Sequence, residues 1–211
     1  MRKDAAHTSL CRDISRNRAA PIVRTPLPSY IGFAMNQPTN QPEPRLPEPW
    51  LRATLTDIPA IQRAVLHAFQ AAEEDLTKWC ASLTDQEIHQ RPAGLASVAF
   101  HLRHIPGSID RLLTYTEDRH LSEEQLQTMK GEGAATGSTS ECLQILSDGL
   151  RAAADRVRKM NPADLDQPRY VGRKRMPTTV GGLLVHVAEH TQRHVGQAIT
   201  TGRVILDKRG G

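Results

Sequence analysis

Aromatic side chains are scarce in this chain: they make up 4% of its 211 residues, against 38% hydrophobic residues in all. The interior must therefore be filled largely by Leu, Val, Ile and Ala, which suits packed helices better than a sheet sandwich. Cysteine is equally sparse. Cys11, Cys80 and Cys142 lie far apart and form no Cys-x-x-Cys pair, so neither a thiolate zinc site nor a dithiol redox motif is indicated. Their small, odd number fits a reducing compartment. No apolar run approaches the roughly 18 to 20 residues that span a bilayer. The N-terminus has no continuous apolar segment of the secretory kind. Cytoplasm is the expected location, with no membrane partner.

A broad basic face is missing as well. The net charge is +4, but residues 1 to 34 hold six basic and two acidic residues, which accounts for all of it. The rest of the chain balances 21 of each sign. Binding to nucleic acid through the folded part is thus not expected. Residues 1–48, rich in Pro, Asn and Gln without apolar periodicity, are expected to be a flexible, disordered extension. Met35, opening Met-Asn-Gln-Pro, is a natural internal start. Residues 49–205 are read as one domain and 206–211 as a tail.

What is present is helical periodicity. Ile58, Ile61, Val65, Phe69, Ala72, Leu76, Trp79 and Leu83 recur at three or four residues and predict a first helix from about Ile58 to Leu83, with Asp57 as cap and Pro59 in the first turn. A second is expected from Ser97 to about Glu117, interrupted by Pro106, which should kink or loosen it. Capping boxes at Ser122-x-x-Gln125 and Ser138-x-x-Glu141 predict a short helix and a third long one. The stretch Gly131 to Gly137 is read as a loop. A link rich in proline and carrying Arg173-Lys174-Arg175 leads to a last helix from Thr179 to Thr200, stopped by Gly202. No segment alternates clearly at period two. The fold class is all-α, a four-helix bundle.

The chemistry lies in the histidines. His186, His190 and His194 are spaced at four and share one face of the last helix. Buried without partners, three imidazoles on a helix otherwise rich in Leu and Val would be costly. Either that face is wet, an exposed polar stripe, or a metal satisfies it, since neutral imidazole is the commonest transition-metal ligand. A site inside a bundle needs a ligand from a facing helix. His101 or His104 supplies it; His104 is preferred, deeper in its helix and beside Leu102 and Ile105.

Ser-Val-Ala-Phe-His-Leu-Arg-His-Ile (97–105), together with Leu-Leu-Val-His-Val-Ala-Glu-His-Thr-Gln-Arg-His-Val-Gly-Gln (183–197), resembles the DinB-like superfamily. The likeness spans roughly Trp50 to Val204. It implies an up-up-down-down bundle holding one divalent ion, often zinc or nickel, and frequently a homodimer. It implies metal ligands His104, His190 and His194, with His186 and His101 in a second layer and the small residue and Gln of the motif at Gly196 and Gln197. Pro106 departs from the expected pattern. Some such proteins look like thiol-dependent transferases.

Three histidine ligands leave a coordination position open for water or substrate, the arrangement of a catalytic site. The expected function is a metal-dependent transferase or hydrolase acting on a small molecule, a thiol among the candidates, with Gln197 orienting water or substrate. The alternative is a stress or interaction module that holds metal without turnover. Glu189 is assigned to an ion pair with Arg193 instead of general-base work, and Cys80 and Cys142 to packing.

Overall fold

The computed structural model describes residues 46–209. Most of the stretch expected to be flexible, and Met35, lie outside these. Five helices and one hairpin follow: α1 (Ala60–Cys80), α2 (Val98–Thr116), α3 (Glu123–Gly131), α4 (Thr139–Lys159), β1 (Pro168–Val171), β2 (Met176–Thr179) and α5 (Val180–Arg209). Short 3-10 turns occupy Pro49–Leu51, Glu87–His89, Pro92–Gly94 and Pro162–Asp164.

The four long helices form the bundle, ringed in the order α1, α5, α2, α4. Cross-links fix their directions. Gln62 at the start of α1 donates to the Met160 carbonyl past the end of α4 (2.8 Å), and the Thr139 hydroxyl at the start of α4 donates to the Leu83 carbonyl past the end of α1 (2.9 Å). Those two helices are antiparallel. Gln192 reaches the Ala68 carbonyl and Arg209 the Ser82 carbonyl, so α5 runs parallel to α1. Thr201 meets Ala96 while Ser108 meets His190, so α2 opposes α5. The pattern up-up-down-down therefore appears around the ring, whereas along the chain the order is up, down, down, up. The segment 81–97 stays at one end of the bundle. The return crossing falls between α2 and α4, where α3 lies against α2.

Local chemistry explains the boundaries. Ser97 accepts from the Phe100 N–H, and both capping boxes form, at Ser122 with Gln125 and at Ser138 with Glu141. The α1 cap differs from expectation: Pro59 precedes the first helical residue and no side chain caps it. Gly202 does not end the last helix. It lies inside α5, which continues to Arg209, and a Cβ built there would sit 3.6 Å from Leu83 and 3.7 Å from Val98. It is buried at ordinary contact distance from Leu83 and Val98, and its φ is not in the left-handed region that helix-stopping glycines use.

The link before α5 holds an antiparallel hairpin, registered Pro168 to Thr179 and Val171 to Met176. Its proline-bearing strands mask the period-two pattern. Arg169 donates to the Thr116 carbonyl (2.8 Å), capping the end of α2. The Arg173-Lys174-Arg175 cluster lies in the turn at the other end from α5, with Arg175 over the Tyr170 ring at 4.4 Å.

Leu66, Phe69 and Leu76 of α1, Leu102, Ile105, Ile109 and Leu113 of α2, Leu146 and Leu150 of α4, and Leu184 and Val187 of α5 are buried in one core. Each such side chain contributes about 1.5–3 kcal/mol by leaving water. Pro106 is accommodated within α2 by a glycine opposite: a Cβ on Gly149 would stand 2.3 Å from the Pro106 Cβ. Gly149→Ala should therefore destabilise the bundle. Overpacking costs about 1–3 kcal/mol and outweighs the gain of about 1 kcal/mol in helix propensity when the contact is this short. A urea titration showing Gly149→Ala as stable as the parent would contradict this packing.

Candidate metal centre

The antiparallel pair α2 and α5 brings three imidazoles face to face at mid-bundle. His190 and His194 project from successive turns of α5, with ring centroids 4.5 Å apart. His104 of α2 stands across from them, its centroid 4.5 Å from His194 and 5.2 Å from His190. One nitrogen from each of the three lies within 4.8 Å of the others, and among the described residues no other set of His, Cys, Asp or Glu is so grouped. Two nitrogens bonded to one tetrahedral ion at about 2.1 Å are about 3.4 Å apart.

The outer nitrogens are all engaged. His104 Nδ1 donates to Glu132 Oε2 at 2.7 Å. His190 Nδ1 faces the Ser108 hydroxyl at 3.4 Å. That hydroxyl donates to the Ile105 carbonyl (2.9 Å), so it has only a lone pair to offer the ring. His194 Nδ1 meets His101 Nδ1 at 3.0 Å, so one of these two nitrogens carries a proton and the other does not. With His194 as donor, the nitrogen left free on all three facing rings is Nε2, as in metal sites whose imidazoles are held from behind.

Glu132 is the residue that the sequence does not announce. It follows α3, inside the stretch read as a loop, and is 4% exposed. Burial alone would raise its pKa. Hydrogen bonds from His104 and Arg111 outweigh burial and hold it below the ordinary carboxylate value, so it is ionised at neutral pH. Arg111 Nη1 meets its other oxygen at 2.6 Å. Gly107 makes the approach possible, since a Cβ there would fall 2.5 Å from Glu132 Oε1. A glycine inside a helix one turn beyond His104 is the signal available in the sequence.

The surroundings of the three rings are as follows. His101 is buried and sits behind His194. His186 is half-exposed, 5.4 Å from the His190 ring and 3.6 Å from Glu189, toward the outer flank. Glu189 pairs with Arg193 one turn on. Gln197 is exposed and lies beside His194 on the wall of a cleft. Arg103 binds the Ala134 carbonyl and Thr136 rather than an open anion site. His67 bonds Thr54, away from the three. Burial pushes the Cys80 thiol up to about 12 and raises that of Cys142, so neither is a ready nucleophile.

Burial first, and then the neighbouring imidazoles, lower His101, His190 and His194 from 6.5 to about 4. All three rings are thus neutral, the form that binds a metal, across the physiological range. The sign for stability follows. Below pH 6.5 the unfolded chain takes up protons that these rings refuse in the folded chain, so their contribution to the stability of the metal-free protein is lost as pH falls toward 4, with no further loss from them below that. Melting temperatures of chelator-treated protein from pH 7.5 to 4 should fall along this window. A flat profile would mean that these rings titrate normally.

Residues 68–198 match the sequence model of the DinB superfamily. A solved structure, that of a conserved protein from Enterococcus faecalis, superposes with a TM-score of 0.52 at 21% identity, covering 71% of this chain and 99% of that one. It supports the fold alone. No curated protein matches this sequence.

Proposed function

The chain belongs to the DinB superfamily, and from that premise we propose that His104, His190 and His194 hold one divalent ion and that the protein is a metal-dependent enzyme, a thiol-dependent transferase or a hydrolase. The observation that carries this is the outer engagement of all three rings by Glu132, Ser108 and His101. Three imidazoles held in this way are suited to zinc, nickel or a similar borderline ion and poorly suited to magnesium or calcium. When bound, such an ion supplies a Lewis acid at the positions that three protein ligands leave open.

The chain's own residues do the rest. Glu132 fixes the His104 ring and its tautomer, and Arg111 fixes Glu132. The pair Arg111–Glu132 adds no net charge, so the ion's charge is left to act on whatever enters. Gln197, beside His194 on the cleft wall, is placed to orient an incoming group by hydrogen bonding. No side chain of the cluster is an obvious general base, which favours substrates that lose their own proton readily, such as thiols.

The test is elemental analysis of purified protein, followed by thiol-conjugation and ester- or amide-cleavage panels with and without chelator. Bound ion with chelator-sensitive turnover is the expected result. Bound ion without turnover on any panel would leave a metal-holding module; the absence of any ion would sink the reading itself.

A further inference from the structure

Next to His194 the bundle surface opens into a cleft of about 610 Å³. Leu95 and Ala96, just before α2, and Phe100 form its apolar wall, and the α5 face from Arg193 to Thr201 forms the other. Three features of that lining limit what fits. Among the described residues, Arg193 is the only lining residue with a permanent charge and no carboxylate lines the cleft; Glu189, which pairs with Arg193, lies outside the lining. The Thr200 and Thr201 hydroxyls donate to the Gly196 and Ala96 carbonyls, so neither has a proton to offer a ligand. Gly196 has nothing within 4 Å of where a Cβ would stand. The missing side chain therefore leaves open space on the cleft side of α5, two residues beyond His194.

We propose that this cleft seats the substrate, and that the substrate has an apolar body and a neutral or anionic head, with cations excluded. The body lies along Leu95 and Phe100 over Gly196; the head points to His194, with Gln197 and Arg193 as the donors beside it. Gly196 sets the width available to the body. This rests on the metal-centre reading for the direction of the head, but the fit of the body depends on the cleft alone.

The test uses the full chain, both metal-stripped and metal-loaded, with two probes that share a body and differ in head: 4-phenylbutyrate and 4-phenylbutylamine. Binding is followed by NMR shifts and calorimetry. The expected result is that phenylbutyrate binds the stripped chain, shifts Phe100, Gly196 and Gln197, and binds at least about tenfold more tightly than the amine. Gly196→Leu, whose Cβ meets no neighbour within 4 Å and which raises helix propensity, should fold as the parent does. It should keep the parent's metal content and weaken phenylbutyrate by at least about tenfold. Equal affinity for both probes, no binding of phenylbutyrate, or unchanged affinity in Gly196→Leu would overturn the proposal. Failure of the metal reading is separate: it appears as no ion in the parent, whatever the stripped chain does with the probes.

Discussion

Arg111→Met should cost the bundle about 3–5 kcal/mol, because it strands a buried carboxylate. Arg111 and Glu132 side chains are 10% and 4% exposed and meet at 2.6 Å. Methionine replaces the apolar stem but leaves the Glu132 charge with His104 as its remaining ion-pair partner among the described residues. The penalty is thus mainly that of an uncompensated charge and not of lost packing. The double variant Arg111→Met with Glu132→Gln removes that charge and should regain most of the loss. Denaturant midpoints of the parent, both single variants and the double variant make a complete cycle. If the double variant is no more stable than Arg111→Met alone, the ion pair is not what holds this corner.

Loss of the ion is the second large effect expected. Replacing His104, His190 or His194 singly by Ala removes one of three facing donors, and each should leave the purified protein close to metal-free. His101→Ala and Glu132→Gln remove only the groups behind the rings. Outer partners of this kind typically contribute about 10–100-fold in affinity, so both variants should still load when metal is in excess. His186→Ala, on the outer flank, should load as the parent does. Competition with a chromogenic chelator measures the whole series on one scale. If His101 proves indispensable while His104 does not, the ligand from α2 has been misassigned.

Much of this was legible in the residues because it depends on local rules. Periodicity marks α1, α2, α4 and α5, and the hydroxyl-to-Gln or hydroxyl-to-Glu spacing at Ser122 and Ser138 marks where two helices begin. The four-residue spacing of His190 and His194 on one face needs only helix geometry. What escapes is set by tertiary packing. Gly202 has the look of a stop, yet it is a contact point where α5 presses on Leu83 and Val98. The hairpin is masked by Pro168 and Pro177. Glu132 falls in a Gly- and Ala-rich link with no pattern of its own, and it reaches His104 only because the return crossing lays α3 on α2. The chain-order direction of the helices likewise depends on which link crosses the bundle, and link length alone does not decide that.

The placement of the three rings on α2 and α5 has one more consequence. His104 and His190 are more than 80 residues apart along the chain. An ion held between them ties the middle of the polypeptide to its last helix, as a covalent staple would, yet it can be withdrawn. Because only the folded chain assembles the three donors, binding of the proposed ion would make every increment of free metal shift the balance toward the native state. Resistance to heat and to proteolysis would then follow metal supply in the surroundings, and starvation for the ion would shorten the protein's lifetime even where no substrate is present.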